Sequence, residues 1–267
     1  MSDSYVLHAG EVPLLISMPH NSSTIPSPLA ERMHPYAQGA PDTDWLLNLL
    51  YDFAPTLGCS VLKPHYSRYV IDLNRAEDDH NLYPGADTTG LCPTTCFDRR
   101  PIYLPGQEPT PEEIQSRIET YWRPYHIALQ TEVKRLQRSF EHVLIFEAHS
   151  IASVVPRFFD GVLPELNMGT ANDTSCAAPL AKRARQVFET SGYHWVENAR
   201  FKGGYITRAY GKPQSGVSTL QLEISQATYM HEETGSYAEA KAARLKPVLH
   251  TLLRHLREGV QELCVKR

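Results

Sequence analysis

Short apolar runs alternate with amphipathic stretches along most of this chain. Apolar runs bounded by polar or turn residues predict six strands, over 12–18, 59–64, 68–74, 142–148, 194–198 and 217–224. Apolar positions recur at helical spacing between several of these runs. Strands that alternate with helices are typical of an α/β fold. We therefore predict three layers, with a mainly parallel twisted sheet covered by helices on both faces.

The amphipathic stretches predict four helices, over 43–54, 111–140, 177–190 and 236–262. The second begins with Thr110-Pro111-Glu112-Glu113, which supplies an N-cap, a proline at the first helical position and acids in the first turn. We expect Pro124 to kink or split this helix, because proline lacks the amide hydrogen that a helix interior needs. Pro247 is expected to interrupt the last helix.

Residues 76–110 differ from the rest of the chain, because they are rich in proline and glycine and show little periodicity. A loop of this length in a compact domain is usually functional or disordered, and we interpret it as an active-site insertion. No internal repeat or Gly/Ser-rich linker divides the sequence. We therefore expect a single domain over 1–267.

The composition excludes several classes of protein. A net charge of −4 offers no broad basic surface for nucleic acid. No early segment resembles a signal peptide or a membrane span, so we expect a cytoplasmic protein without membrane partners. We expect it to be a monomer or a small homo-oligomer. The five cysteines are scattered and indicate reduced thiols. Cys92 and Cys96 alone are a weak signal for a zinc site.

Two predicted strands lead to a histidine. The run 143–146 is followed by His149 and Ser150, and the run 14–18 is followed by Pro19 and His20. Ligands bind at the carboxyl ends of strands in open α/β sheets, so the two imidazoles are expected to meet over one crevice. Either histidine alone is more readily explained as a surface hydrogen-bonding residue. The repetition of the pattern favours a metal site.

An acidic pair lies at the start of the first predicted helix, where Asp42 and Asp44 are also natural helix caps. The functional interpretation is that one of them supplies a carboxylate between the two histidines. A His–carboxylate–His set with an open fourth position is typical of catalytic zinc. We choose Asp44 as the ligand and keep Asp42 as the alternative, or as a residue that holds a ligand in place.

Two segments carry candidate anion-binding groups. Arg75 presents a planar fork that suits a carboxylate and Asn74 adds an amide, unless Arg75 simply forms an ion pair with Asp72. Arg208 lies in a glycine-flanked segment, 202–211, that can approach a ligand closely. The alternative for Arg208 is a solvated side chain on an ordinary turn.

Glu223 lies in a strongly apolar predicted strand, where a carboxylate is costly to bury without a partner. It either faces solvent or faces the crevice, where it can deprotonate a water and then protonate a leaving amine. Ser150 lacks the Gly-x-Ser-x-Gly turn of a serine nucleophile. No Gly-x-Gly-x-x-Gly or Walker loop supports nucleotide binding.

Taken in order, these segments resemble the N-formylglutamate amidohydrolase family, the deformylases of histidine degradation. The resemblance spans residues 13 to about 230. The matching segments are Pro19-His20 with Ile25-Pro26, Asp42-Thr43-Asp44-Trp45, Asp72-Leu73-Asn74-Arg75, Ala148-His149-Ser150, Gly203-Gly204-Tyr205-Ile206-Thr207-Arg208 with Tyr210-Gly211, and Leu220-Gln221-Leu222-Glu223-Ile224 with Tyr229-Met230. The resemblance implies a phosphorylase/hydrolase-like fold, similar to that of zinc carboxypeptidases.

The resemblance also implies hydrolysis of N-formyl-L-glutamate, a dicarboxylate N-acyl amino acid, with a divalent metal, zinc as first choice. Aspartoacylases share the Asp-Leu-Asn-Arg run and imply substrate binding by Asn74 and Arg75. Zinc-dependent peptidoglycan amidases imply a late glutamate, here Glu223, as catalytic base. The implied metal ligands are His20, Asp44 and His149; the catalytic residues are Glu223 and Arg75; the substrate-binding residues are Asn74, Arg75, Tyr205, Arg208 and Ser150.

The chain departs from its zinc-hydrolase relatives at two positions. Ser23 occupies the glutamate position of the carboxypeptidase His-x-x-Glu pair, so the acidic ligand has to come from elsewhere. Glu147 stands two residues before His149, where an aspartate or small residue is expected. Two alternatives stay open: a zinc amidohydrolase for another N-acyl amino acid or a cell-wall amide, and a non-catalytic protein that binds an acidic metabolite.

Overall fold

A computed structural model describes residues 4–81, 85 and 87–265. Seven strands form its main sheet: β1 (Tyr5–His8), β2 (Leu14–Ser17), β3 (Ser60–Pro64), β4 (Val143–Ile151), β5 (Leu166–Gly169), β6 (Trp195–Glu197) and β7 (Val217–Ser225). Their order across the sheet is β1-β3-β2-β4-β7-β5-β6. Only the β1–β3 and β5–β7 pairs among these strands are antiparallel. The predicted α/β fold with a mainly parallel sheet is confirmed.

The helices are α1 (Ser27–Ala30), α2 (Leu47–Leu50), α3 (Pro111–Arg117), α4 (Arg123–Gln137), α5 (Ala178–Glu189), α6 (Tyr205–Tyr210) and α7 (Glu239–Val265). Short 3₁₀ turns cover Ala54–Leu57, Pro213–Ser215 and Gln226–Thr228, and Met230–His231 pairs with Ser236–Tyr237 as β8 and β9. A π-helical turn, Ile118–Trp122, joins α3 to α4 and leaves Pro124 in the first turn of α4. The helical backbone therefore continues from α3 into α4, with a π-helical turn just before Pro124 and no break. The predicted interruption at Pro247 is wrong, because α7 continues through it.

The main sheet has a different chemistry on each face. Even-numbered residues of β4 and β7, such as Phe146 and Leu222, lie in the core beneath α5 and α7. Odd-numbered residues near the amino end of β4, such as Ile145, lie in a second core beneath α4. Towards the carboxyl ends the odd-numbered residues become polar while staying buried: Glu147, His149, Gln221 and Glu223. This polar half of one face forms the floor of the candidate site.

The predicted strand over 68–74 is wrong. The backbone turns there, because the amide of Val70 donates to the carbonyl of Ser67 (2.9 Å), and the amide of Asp72 donates to Leu91 (2.7 Å). The side chains of Ile71 and Leu73 are nevertheless buried, packed in the core beneath α4. The apolar run therefore predicted correctly that these side chains are buried, but the backbone that carries them is a loop and not a strand.

The predicted helix over 43–54 is also wrong in extent, because only α2 is helical within it before the 3₁₀ turn that starts at Ala54. Leu46 adopts a left-handed conformation (φ 59°). The carbonyl of Trp45 accepts a hydrogen bond from the buried Tyr229 hydroxyl (2.7 Å). Tertiary contacts therefore hold the segment before α2 in an irregular path that its apolar spacing did not reveal.

Strands β1 and β5 and helices α1 and α6 have no counterpart among the predicted elements, because each is too short for a periodic signal.

All five cysteines are free thiols, as expected. Within the described residues, no helix combines the length and hydrophobicity needed to cross a membrane.

Candidate active site

Three side chains meet at the carboxyl ends of β2 and β4. The Nδ1 atoms of His149 and His20 lie 2.9 and 3.7 Å from Oδ2 of Asp44. One potential ligand atom from each residue lies within 4.8 Å of the other two, and all three residues are buried. The two histidines do meet over one crevice, and the acid between them is Asp44. Together they can hold a metal ion.

The surroundings of His149 fit a metal at its Nδ1 atom. A ligating histidine usually donates its other ring N–H to a carboxylate or carbonyl. Nε2 of His149 lies 3.9 Å from Oε1 of Glu147. That oxygen is buried and has no hydrogen-bond partner among the described residues, while Oε2 accepts from the Thr207 hydroxyl (2.8 Å). Glu147 therefore offers an acceptor near Nε2, although the nearer neighbour of Nε2 is the amide nitrogen of Asn74, at 3.2 Å.

Asp42 points away from this cluster. Its Oδ2 atom accepts hydrogen bonds from the Tyr69 hydroxyl (2.5 Å) and from the Phe97 amide (2.8 Å). Burial raises the pKa of Asp42, although these two bonds oppose the shift. Neither Asp42 nor Asp44 caps a helix, because α2 starts at Leu47 without a side-chain cap. The structure thus ties Asp42 to the 69–97 region.

On its other side, His20 belongs to an ion-pair chain. Its Nε2 atom lies 2.7 Å from Oδ1 of Asp72, whose Oδ2 accepts from Arg68 (2.7 Å). Burial and Arg68 act to lower the pKa of His20, yet Asp72 and Asp44 raise it on balance. Burial acts to raise the pKa of Asp72, but His20 and Arg68 hold it well below its usual range. Asp72 therefore stays ionised and orients His20.

Asn74 connects the site to the glycine-rich segment before α6. Its Nδ2 atom lies 3.2 Å from Nε2 of His149, and its Oδ1 accepts from the Ile206 amide (2.9 Å). Gly204 packs directly against this amide, since an added Cβ would lie 2.4 Å from Nδ2 of Asn74. The glycine segment therefore lies close against Asn74, while its predicted close approach to a ligand stays a prediction.

Helix α4 and the π-turn hold the 72–75 loop from behind. Trp122 donates its indole N–H to the carbonyl of Arg75 (2.9 Å), and His126 donates from Nε2 to the carbonyl of Leu73 (2.9 Å). Nδ1 of His126 then accepts from the Tyr210 hydroxyl (2.8 Å), which fits a neutral ring. Burial lowers the pKa of His126 to about 4. The two side chains thereby position Asn74 and Arg75.

Glu223 faces the crevice. It pairs in register with His149 on the neighbouring strand, and it is only 7% exposed. Burial raises the pKa of Glu223 well above its usual range, and the nearby charge of Asp44 adds to the shift. The alternative of a solvated glutamate is excluded by this placement.

These groups line an open pocket of about 150 Å³. The 76–110 segment contributes to the pocket wall, in part through Thr88, Thr89 and Phe97. Residues predicted for the site that line the pocket are His20, Asp44, Asn74, Arg75, His149, Ser150 and Glu223.

Tyr205 and Arg208 are not among the lining residues. Arg208 donates from Nε to the carbonyl of Gly203 (3.0 Å), and the Tyr205 ring packs against Trp122 at 5.8 Å between centroids. Their roles in substrate binding stay predictions. Ser150 lines the pocket, but its hydroxyl lies 2.7 Å from that of Tyr229, and its amide donates to Asp44 (3.3 Å).

Comparison with known proteins identifies the family. The sequence profile described as N-formylglutamate amidohydrolase matches residues 12–230. The chain belongs to the N-formylglutamate amidohydrolase family. An N-formylglutamate deformylase from Pseudomonas putida is 47% identical over 251 residues, which cover 93% of this chain and 94% of that protein. A protein of the same name from Pseudomonas aeruginosa is 46% identical over 93% of this chain and 96% of its own length.

A solved structure supports the family fold. The crystal structure of an N-formylglutamate amidohydrolase from Ralstonia eutropha JMP134 superposes with a TM-score of 0.83 at 26% identity, covering 97% of this chain and 99% of the other. The family resemblance inferred from the ordered sequence segments is therefore confirmed, and so is the fold that it implied.

In this N-formylglutamate amidohydrolase family member, three arginines of the described part of the chain line the pocket: Arg68, Arg75 and Arg200. The sequence predicted only Arg75 among them. Arg68 had a detectable signal, because Asp72 within an apolar run needs a buried partner. Arg200 had none, since it follows β6 in a segment without a recognisable pattern.

Proposed function

We propose that this chain hydrolyses N-formyl-L-glutamate to formate and L-glutamate, as a metal-dependent step of histidine degradation. One observation carries the proposal: a buried His20–Asp44–His149 cluster lies beside Glu223 on the floor of a pocket lined by arginines. The deformylases that share nearly half of its sequence support the choice of substrate.

We assign the metal as zinc. Two imidazoles and one carboxylate that leave a fourth position open are the donor set of catalytic zinc sites. Such an ion, held by His20, Asp44 and His149, would polarise the formyl carbonyl and make a water molecule more acidic. Asp72 and Glu147 would orient the two rings from behind.

Glu223 is proposed to move the proton. As the water oxygen attacks the formyl carbon, Glu223 takes a proton from that water. It then delivers the proton to the amide nitrogen as the C–N bond breaks, which releases formate and the free amine of glutamate. Burial raises the pKa of Glu223, so its carboxylate is a stronger base than that of a water-exposed glutamate. Once protonated, the buried group therefore keeps the proton available for the amide nitrogen in the second step.

Arg75 and Asn74 are proposed to bind the α-carboxylate of the substrate. Nε of Arg75 lies 4.0 Å from Asp72, one contact away from His20, and Asn74 contacts His149. Both groups therefore lie next to the reacting carbon, where the α-carboxylate must also lie. Ser150 is proposed as a further substrate-binding residue, because it lines the same pocket.

The test combines formate release with metal analysis. The purified protein should release formate from N-formyl-L-glutamate faster than it cleaves N-acetyl amino acids. Glu223→Gln should lower turnover roughly 10²–10⁴-fold and leave the bound metal unchanged, because Glu223 is not a ligand. Glu189→Gln, an exposed control, should match the unchanged protein.

Three outcomes would count against the proposal. Native turnover by Glu223→Gln would remove the assigned proton carrier. Cleavage of N-acetyl amino acids alone would favour the broader amidohydrolase alternative. Bound metal with no turnover across the panel would favour a binding protein for an acidic metabolite.

A further inference from the structure

The two carboxylates of N-formylglutamate need two cationic partners, and three arginines among the described residues line the pocket. Arg68 is engaged, since it lies 2.7 Å from Asp72 and its guanidinium carbon lies 4.9 Å from the Phe97 ring centroid. Its side chain is only 13% exposed. Arg75 lies beside the reacting centre and suits the α-carboxylate. The partner for the side-chain carboxylate therefore has to be sought elsewhere on the wall.

Arg200 is held by aromatic side chains on that wall. Its guanidinium carbon lies 5.6 Å from the Phe158 ring centroid and 5.4 Å from that of Phe201. Its Nε atom donates to the carbonyl of Phe158. All three residues line the pocket. Contact with two rings and the bond from Nε restrict the guanidinium, and a restricted fork loses less entropy when it binds a carboxylate.

Arg200 also acts on the reaction centre at a distance. Burial is the largest cause of the raised pKa of Glu223, and Arg200 is among the positive charges that oppose it. The guanidinium therefore shares a pocket with the proposed proton carrier. Arg200 contacts Phe158 and Phe201, which follow β4 and β6, whereas the two histidines of the metal cluster lie at the carboxyl ends of β2 and β4. This place on the pocket wall suits the carboxylate farther from the formyl group.

We propose that Arg200 binds the side-chain carboxylate of the substrate and so determines the preference for glutamate derivatives over neutral ones. This inference rests on the proposed function. The sequence suggested Arg208 for this role. If Arg208 binds this carboxylate, Arg208→Gln and not Arg200→Gln should impair the glutamate substrate.

The test compares two substrates that differ only in this carboxylate, N-formyl-L-glutamate and N-formyl-L-glutamine. Arg200→Gln should lower kcat/KM for the glutamate substrate about 10- to 100-fold, mainly through KM, because a charge-assisted pair is lost. For the glutamine substrate the change should stay below about threefold, since no charge is lost there. Arg200→Lys should recover part of the discrimination, because it keeps the charge but not the fork.

Arg185→Gln is a matched control, since Arg185 pairs with Glu197 on β6 and does not line the pocket. It should leave both substrates unchanged. An equal loss on both substrates in Arg200→Gln would overturn the proposal. A loss confined to the glutamate substrate in Arg208→Gln, with Arg200→Gln unaffected, would also overturn it in favour of Arg208.

Calorimetric titration with the products L-glutamate and L-glutamine keeps the test independent of turnover. The unchanged protein should bind L-glutamate more tightly, and Arg200→Gln should lose that preference. If the unchanged protein shows the preference but releases no formate, only the proposed function fails. If Arg200→Gln keeps the preference, the assignment of Arg200 fails.

Discussion

His126 makes the stability of this fold depend on pH in a way that can be measured. Its ring is 2% exposed, is stacked on Trp122 at 3.8 Å between centroids, and bonds to the Leu73 carbonyl and the Tyr210 hydroxyl. Burial lowers the pKa of His126 to about 4 in the folded protein. Protonation would also place a hydrogen on Nδ1, which now accepts one from the Tyr210 hydroxyl.

The sign and size follow from linkage. The pKa in the unfolded chain is about 6.5, so between pH 6.5 and 4 the unfolded state binds a proton that the folded state does not. Stability is therefore full above about pH 6.5 and falls as the pH falls towards 4. At about 1.36 kcal/mol per pH unit, the complete loss is about 3.4 kcal/mol, of which about 2.4 kcal/mol separates pH 7 from pH 4.5.

His126→Gln removes the titration while its amide can still reach the Leu73 carbonyl. At about pH 7 the variant should be less stable than the unchanged protein by about 1–2 kcal/mol, because the Tyr210 bond and the stacking are lost. At about pH 4.5 that difference should shrink by about 2.4 kcal/mol, which removes or inverts it. Denaturant unfolding of both proteins at both pH values measures this difference.

Comparison with the variant isolates His126, because every other titrating group is common to both proteins. The rings that contact the imidazole belong to Trp122, Tyr125, Tyr205 and Tyr210, and none of them titrates in this pH range. A difference in the free energy of unfolding that stays the same at both pH values would refute the reasoning.

Two further predictions concern the site. Gly204→Ala should lower kcat/KM by about tenfold or more, because its Cβ would displace the Asn74 amide, whereas Gly39→Ala, where a Cβ meets nothing within 4 Å, should match the unchanged protein; equal activity in both variants would show that Asn74 does not need its position. Asp44→Asn should lose the bound metal in elemental analysis while Asp42→Asn keeps it, since only Asp44 lies between the two histidines; the reverse result would make Asp42 the ligand.

The catalytic candidates were predictable because sheet topology places strand ends together. His20, His149 and Glu223 all belong to or follow apolar runs that became the neighbouring strands β2, β4 and β7. In parallel strands, the same end of each strand reaches the same edge. The chemistry at that edge was therefore visible in the order of residues along the chain.

The choice between Asp44 and Asp42 was not predictable in the same way. Asp42 and Asp44 are two residues apart in one segment, and the local sequence pattern favours a helix-capping role for each of them. The segment instead follows an irregular path because Tyr229 and Gln226, nearly two hundred residues later, bond to the carbonyls of Trp45 and Thr43. Those distant bonds turn Asp44 towards the histidines and leave Asp42 to Tyr69.

The sequence by itself determined the fold class, the family, the two histidines and the candidate proton carrier, since these depend on local periodicity and on the order of short segments. Only the tertiary structure decided which acid lies between the histidines, that residues 68–74 form a loop, and that Arg200 lies on the pocket wall. The physical reason is that a loop's path is set by side chains that contact it from far along the chain, and such contacts leave no periodic trace in the loop itself.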